Sequence, residues 1–114
     1  MDIRLKRAYE PPSRGDGARI LVDRLWPRGV KKEALELAAW DKDVAPSAAL
    51  RQWFGHRAER FEEFAARYRD ELDANPAAAA LRERAGHGRI TLVYGARDPA
   101  LNQAVVLRDW LLAR

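Results

Sequence analysis

The spacing of apolar and polar positions changes several times along this chain, and each change marks an element. Ile3-Arg4-Leu5-Lys6-Arg7 alternates apolar with basic residues, the period of a strand with one solvated face. Pro11-Pro12-Ser13-Arg14-Gly15-Asp16-Gly17 is dense in turn formers and predicts a loop. Arg19 to Val22 is continuously apolar at its centre, as expected of a strand covered on both faces. Lys31-Lys32-Glu33-Ala34 belongs to a mixed segment, after which Ala38-Ala39-Trp40 predicts a short third strand.

The period then becomes helical. Ser47 is a good N-cap, preceded by Pro46 and followed by Leu50, Trp53 and Phe54 on one face, with Gly55 as the stop. Phe61, Phe64, Ala65, Tyr68 and Leu72 form the apolar stripe of a longer helix over about 57–73. Asn75-Pro76 restarts a helix that Gly86 closes. Ile90-Thr91-Leu92-Val93-Tyr94 is the clearest strand. Asp98-Pro99 repeats the cap-plus-proline start and predicts a final helix with Leu101, Ala104, Val105, Leu111 and Leu112 facing inward.

A strand that returns after intervening helices implies a parallel pair joined by a crossover. The expected fold is therefore one α/β domain over residues 1–114, a mostly parallel sheet of three to four strands flanked by four helices.

Composition narrows the chemistry. The chain has no cysteine, which excludes thiol nucleophiles, Cys-ligated zinc and disulfides. Its two histidines, His56 and His87, have no zinc-signature spacing, so no metal is expected. No apolar run has membrane-span length and the amino terminus lacks a secretory h-region, so a cytoplasmic bacterial protein is expected. The net charge of +4 is unevenly placed: residues 1–32 carry +5 and the remainder −1. A basic first third suits phosphate, carboxylate or nucleic acid.

That basic third contains Asp23-Arg24-Leu25-Trp26-Pro27-Arg28-Gly29, a polar cluster just past the second strand, where open α/β sheets place their sites. Asp41, Lys42 and Asp43 follow the third strand; Tyr94, Arg97 and Asp98 end the fourth. In a parallel sheet these clusters share one rim. Helix starts at Ser47 and Asp98 would aim N–H groups toward it, with Arg51 and Asn102 one turn further on. Each feature also has a structural reading. Trp26-Pro27-Arg28-Gly29 suits a tight turn, Ser47 and Asp98 suit helix caps, and Lys42 suits a surface ion pair. His56 reads as a loop residue, and the remaining tryptophans and tyrosines in strands and helices as core. No nucleophile elbow, Walker-type loop or dinucleotide glycine fingerprint is present.

The Asp23–Gly29 motif, Trp40-Asp41-Lys42-Asp43-Val44-Ala45-Pro46-Ser47 and Leu50-Arg51-Gln52-Trp53-Phe54 together resemble the YeaO-like family of uncharacterised bacterial proteins, a domain of unknown function 488. Phe64, Tyr68, Glu71-Leu72 and Thr91-Leu92-Val93-Tyr94 with Asp98 and Asn102 extend the resemblance over almost the whole chain. It implies a compact bacterial α/β domain and brings no established activity, and it leaves any cofactor unknown. It also implies Asp23, Arg24, Arg28, Lys42, Ser47, Arg51, Tyr94, Asp98 and Asn102 as the site candidates, the set that the strand-end argument selects.

The leading expectation is a site for a small anionic ligand, phosphorylated, nucleotide-like or carboxylated, with or without catalysis. A nucleic-acid-binding module using Arg4, Lys6, Arg7, Arg14, Lys31 and Lys32 is the second reading. A non-catalytic interaction protein is the third.

Overall fold

The computed structural model of the protein describes residues 1–113. Four strands, β1 (Ile3–Arg7), β2 (Ala18–Leu21), β3 (Ala39–Trp40) and β4 (Ile90–Tyr94), form one sheet in the order β1-β4-β2-β3. Every neighbouring pair is parallel, with Ile3 opposite Ile90, Ala18 opposite Ile90 and Ile20 opposite Ala39. The expected α/β domain is thus observed, with an all-parallel sheet.

The helices are α1 (Lys32–Leu35), α2 (Ala48–Phe54), α3 (Phe61–Asp73), α4 (Pro76–Ala85) and α5 (Gln103–Leu112). α1 is a single turn inside the segment for which the pattern gives no clear period. α2 to α5 pack on one face, where Ile20, Val22, Ile90, Leu92 and Tyr94 meet Phe64, Tyr68, Leu72, Leu107 and Leu111. The other face is a thin layer of Leu21, Val93, Ala8 and Leu35, with Trp26 and Trp40 set edge to face at 5.3 Å. Strand β4, with hydrogen-bonded neighbours on both sides, is buried along its whole length, which explains its unbroken apolar sequence.

Two helix boundaries depart from the sequence pattern. Residues 57–60 do not begin α3: after Gly55 and His56, both at positive φ, a short 3₁₀ turn, Ala58–Arg60, precedes it. There Arg60 Nη1 donates back to the Trp53 carbonyl and ties the turn to α2. The last helix begins at Gln103, not Asp98. Asp98 Oδ1 accepts from the N–H groups of Ala100 (2.8 Å) and Leu101 (3.0 Å), closing a local turn, and Asn102 is the true N-cap, accepting from Val105 N–H at 3.1 Å. The later start resets the buried face. Leu112 is exposed, while Val106, Leu107 and Trp110 join Ala104 and Leu111 inside.

A polar network centred on Asp16 occupies the thin face at the amino end of β2, with Arg19 Nη2 its one buried donor left without a partner among the described residues. Asp16 accepts from Ser13 N–H and Oγ, pairs with Arg19 at 2.7 Å and pairs with Lys6 at 3.2 Å. Its carbonyl takes the Thr91 hydroxyl at 2.6 Å, and Arg19 Nε donates to Leu35 O at 2.7 Å. Burial alone would raise the Asp16 carboxyl. The Ser13, Arg19 and Lys6 bonds overcome it and hold the group far below the ordinary carboxylate range. Gly17 completes the turn at φ 64, where a Cβ would collide with the Arg89 carbonyl.

Candidate functional site

At the opposite end of the sheet the chain leaves β1, β2 and β4 through loops that surround a cavity of about 460 Å³. Tyr9 comes from the β1 exit, Asp23 to Arg28 from the β2 exit, and Gly95 and Ala96 from the β4 exit. Arg51, Gln52 and Phe54 of α2, His56 beyond it, Phe64 of α3, and Asn102 and Gln103 at the start of α5 complete the wall. This is the carboxyl-end crevice of a parallel sheet.

Asp23, half-buried, is the polar centre. Its Oδ2 accepts from Gly95 N–H at 2.8 Å and its Oδ1 from Gln103 Nε2 at 2.6 Å. Its carbonyl accepts from Trp40 Nε1 at 2.7 Å. Burial is the largest influence on the carboxyl and pushes it up to about 6 against the Gly95 bond, the Arg51 charge and the Gln103 amide. Gly95 sits so close that a Cβ there would lie 3.2 Å from Asp23 Oδ2.

The cations around it are underused. Arg51 Nε is buried without a hydrogen-bond partner. Among the described residues, the guanidinium groups of Arg24 and Arg28 make no hydrogen bond or ion pair. Arg24 is half-buried and Arg28 exposed. The loop that carries them is fixed by its own contacts: Trp26 Nε1 donates to Val30 O at 2.7 Å, Tyr9 Oη donates to Arg28 O at 3.0 Å, and Gly29 turns at φ 77. The tight-turn reading and the pocket reading of this motif therefore hold together: Trp26 anchors the turn and also lines the cavity.

Of the nine sequence-selected residues, Asp23, Arg24, Arg28, Arg51 and Asn102 come together here. The other four do not line the cavity. Lys42 lies over the Trp40 ring, 4.1 Å from its centroid. Ser47 caps α2, accepting from Leu50 N–H, while its own N–H and hydroxyl donate to the two Glu71 oxygens at 2.8 and 2.7 Å. Tyr94 is buried in the main core, and Asp98 closes its turn. Tyr9, Gly95 and Gln103 line the site without being selected from the sequence. Gln103 carries a usable signal, a polar residue in the first turn after a cap, but the misplaced helix start hides it.

A second hollow of about 640 Å³ opens on the thin face between α1 and β3, lined by Trp26, Lys32, Glu33, Glu36, Leu37, Ala39 and Trp40. It lacks a buried polar centre and lies away from the strand exits. Among the described residues no three His, Asp or Glu side chains are placed to hold a metal ion, and no helix is long and apolar enough to cross a membrane.

Fold and site together define a small parallel α/β domain with a polar crevice at its strand carboxyl ends. Within that class, the chain belongs to the DUF488-N3i family, the inactive DUF488-N3 subclade, whose family model matches residues 2–114. It is 45% identical over 112 residues to an uncharacterized protein of Mycobacterium tuberculosis, covering 98% of this chain and 95% of the relative. It is 43% identical over 112 residues to the uncharacterized protein YeaO of Escherichia coli, covering 97% of each. No solved structure gives a significant match.

Proposed function

We propose that the protein binds a small anionic ligand, phosphorylated, nucleotide-like or carboxylated, in the crevice at the carboxyl ends of its strands, and does so without turning it over. One observation carries this reading: Arg24, Arg28 and Arg51 all line this crevice, and among the described residues none of their side chains makes a hydrogen bond or ion pair. Charge-assisted hydrogen bonds to a bound oxyanion would supply partners for these guanidinium groups. Binding is favoured over catalysis by the description of the family as inactive. The nucleic-acid reading ranks lower because Lys6 pairs with Asp16, Arg4 with Asp2, and Arg7 Nε donates to Ala96 O.

Thermal unfolding with phosphate, pyrophosphate and citrate, against sulfate at equal ionic strength, tests the reading. Saturable stabilisation of at least about 1–2 kcal/mol at high excess is expected from one of them. Arg51→Ala should weaken that ligand about tenfold or more while the protein stays folded. Equal, non-saturating shifts by all the anions would overturn the proposal.

A further inference from the structure

The crevice is lined by acceptors as well as by cations. Each Asp23 oxygen uses one of its two acceptor positions, Oδ1 for Gln103 and Oδ2 for Gly95, so two positions stay open. Gln103 Oε1 has no hydrogen-bond partner among the described residues. Burial as the dominant influence on Asp23, raising it to about 6, marks a carboxyl short of donors. A bare phosphate would satisfy the arginines and set its own charge against this acceptor cluster. A ligand with hydroxyl donors at one end and a phosphate at the other satisfies both.

Resting on the anion-binding reading above, we infer that the ligand is a phosphorylated sugar, free or as the sugar-phosphate unit of a nucleotide. Its hydroxyls donate to Asp23 and Gln103 Oε1, and its phosphate is held by Arg51 with Arg24 or Arg28. Three guanidinium groups exceed what the single carboxylate of an amino acid requires and suit a phosphate dianion. A cavity of about 460 Å³ has room for a ligand of this size.

Calorimetric titration of the full chain with ribose 5-phosphate, inorganic phosphate, ribose and glutamate separates the alternatives. Ribose 5-phosphate should bind about tenfold or more tightly than inorganic phosphate, as two charge-assisted hydrogen bonds imply, and ribose more weakly than either. Asp23→Asn should act with opposite signs, weakening ribose 5-phosphate about tenfold and tightening inorganic phosphate by removing a nearby negative charge. Equal affinity for ribose 5-phosphate and phosphate would overturn the sugar assignment and leave the anion site standing. Tighter binding of glutamate would overturn it in favour of an amino acid. Binding of neither phosphate compound nor glutamate would remove the anion site and the sugar assignment together. The comparison of ligands on the unaltered chain decides the matter even should the variant fail to fold.

Discussion

Asp16 and Asp23 lie at the two ends of β2, and their surroundings are opposite. Asp16 is 5% exposed and has every acceptor position engaged by Ser13, Lys6 and Arg19, so it titrates far below the ordinary range. Asp23 is also withdrawn from water, but its partners are a backbone N–H and a neutral amide, with no cation in contact, so it titrates near 6. A buried charge closed on itself holds a fold together. A half-buried charge with no cation in contact, beside a cavity lined by unpaired arginines, leaves room for something else to complete it. The two ends of one short strand thus separate the part of the domain that is finished from the part that is not.

Breaking the closed end should have the largest effect. Asp16→Ala strands Arg19, itself only 3% exposed, and should cost about 3–5 kcal/mol in urea unfolding. Because folding lowers the Asp16 value, its contribution is present above the ordinary carboxylate value of 3.8 and is lost as the pH falls below it. The open end has the reverse sign. Folding raises Asp23, so its contribution is full below 3.8 and is lost as the pH rises through about 6. Asp23→Asn should therefore stabilise the protein by about 1–2 kcal/mol at about pH 8 and flatten that part of the pH profile. The amide oxygen can keep the Gly95 bond, and its NH₂ can face a turned Gln103. A loss of stability in that variant would mean that Asp23 is as structural as Asp16. Smallest of all, Arg28→Ala should change stability by less than about 0.5 kcal/mol, since the side chain is exposed and unpaired. A larger loss would place it in the scaffold.

The rim of the sheet was legible in the sequence because β2 and β4 are apolar runs that stop abruptly at polar residues. The pattern could not say which polar residues turn into the crevice. Lys42 follows a strand only two residues long at the edge of the sheet, and the 3₁₀ turn Lys42–Val44 carries it onto the Trp40 ring. Asp98 and Asn102 are both good caps four residues apart, and local propensity does not choose between them. The structure uses the first for a turn and the second for α5. The Gly15-Asp16-Gly17 stretch reads as a turn and is one, but its link to Lys6, Arg19 and Thr91 depends on three strands meeting, which no local pattern records. The place of Arg51 one turn into α2 is readable from the sequence; that its Nε lacks a partner is visible only in the packed chain.

The strand order has a consequence for how the molecule comes into being. β1 and β2 never touch as a pair, because β4, the last strand to leave the ribosome, is wedged between them. Until residues 90–94 are available there is no seam on which the amino-terminal strands can close, and their long-range pairing is of the kind that slows folding. Asp23 must wait longer still, since both of its side-chain partners, Gly95 and Gln103, follow that strand. The crevice consequently cannot be completed before residue 103 has been made, and a nascent chain ending before α5 carries its arginines beside an Asp23 that lacks its amide partner.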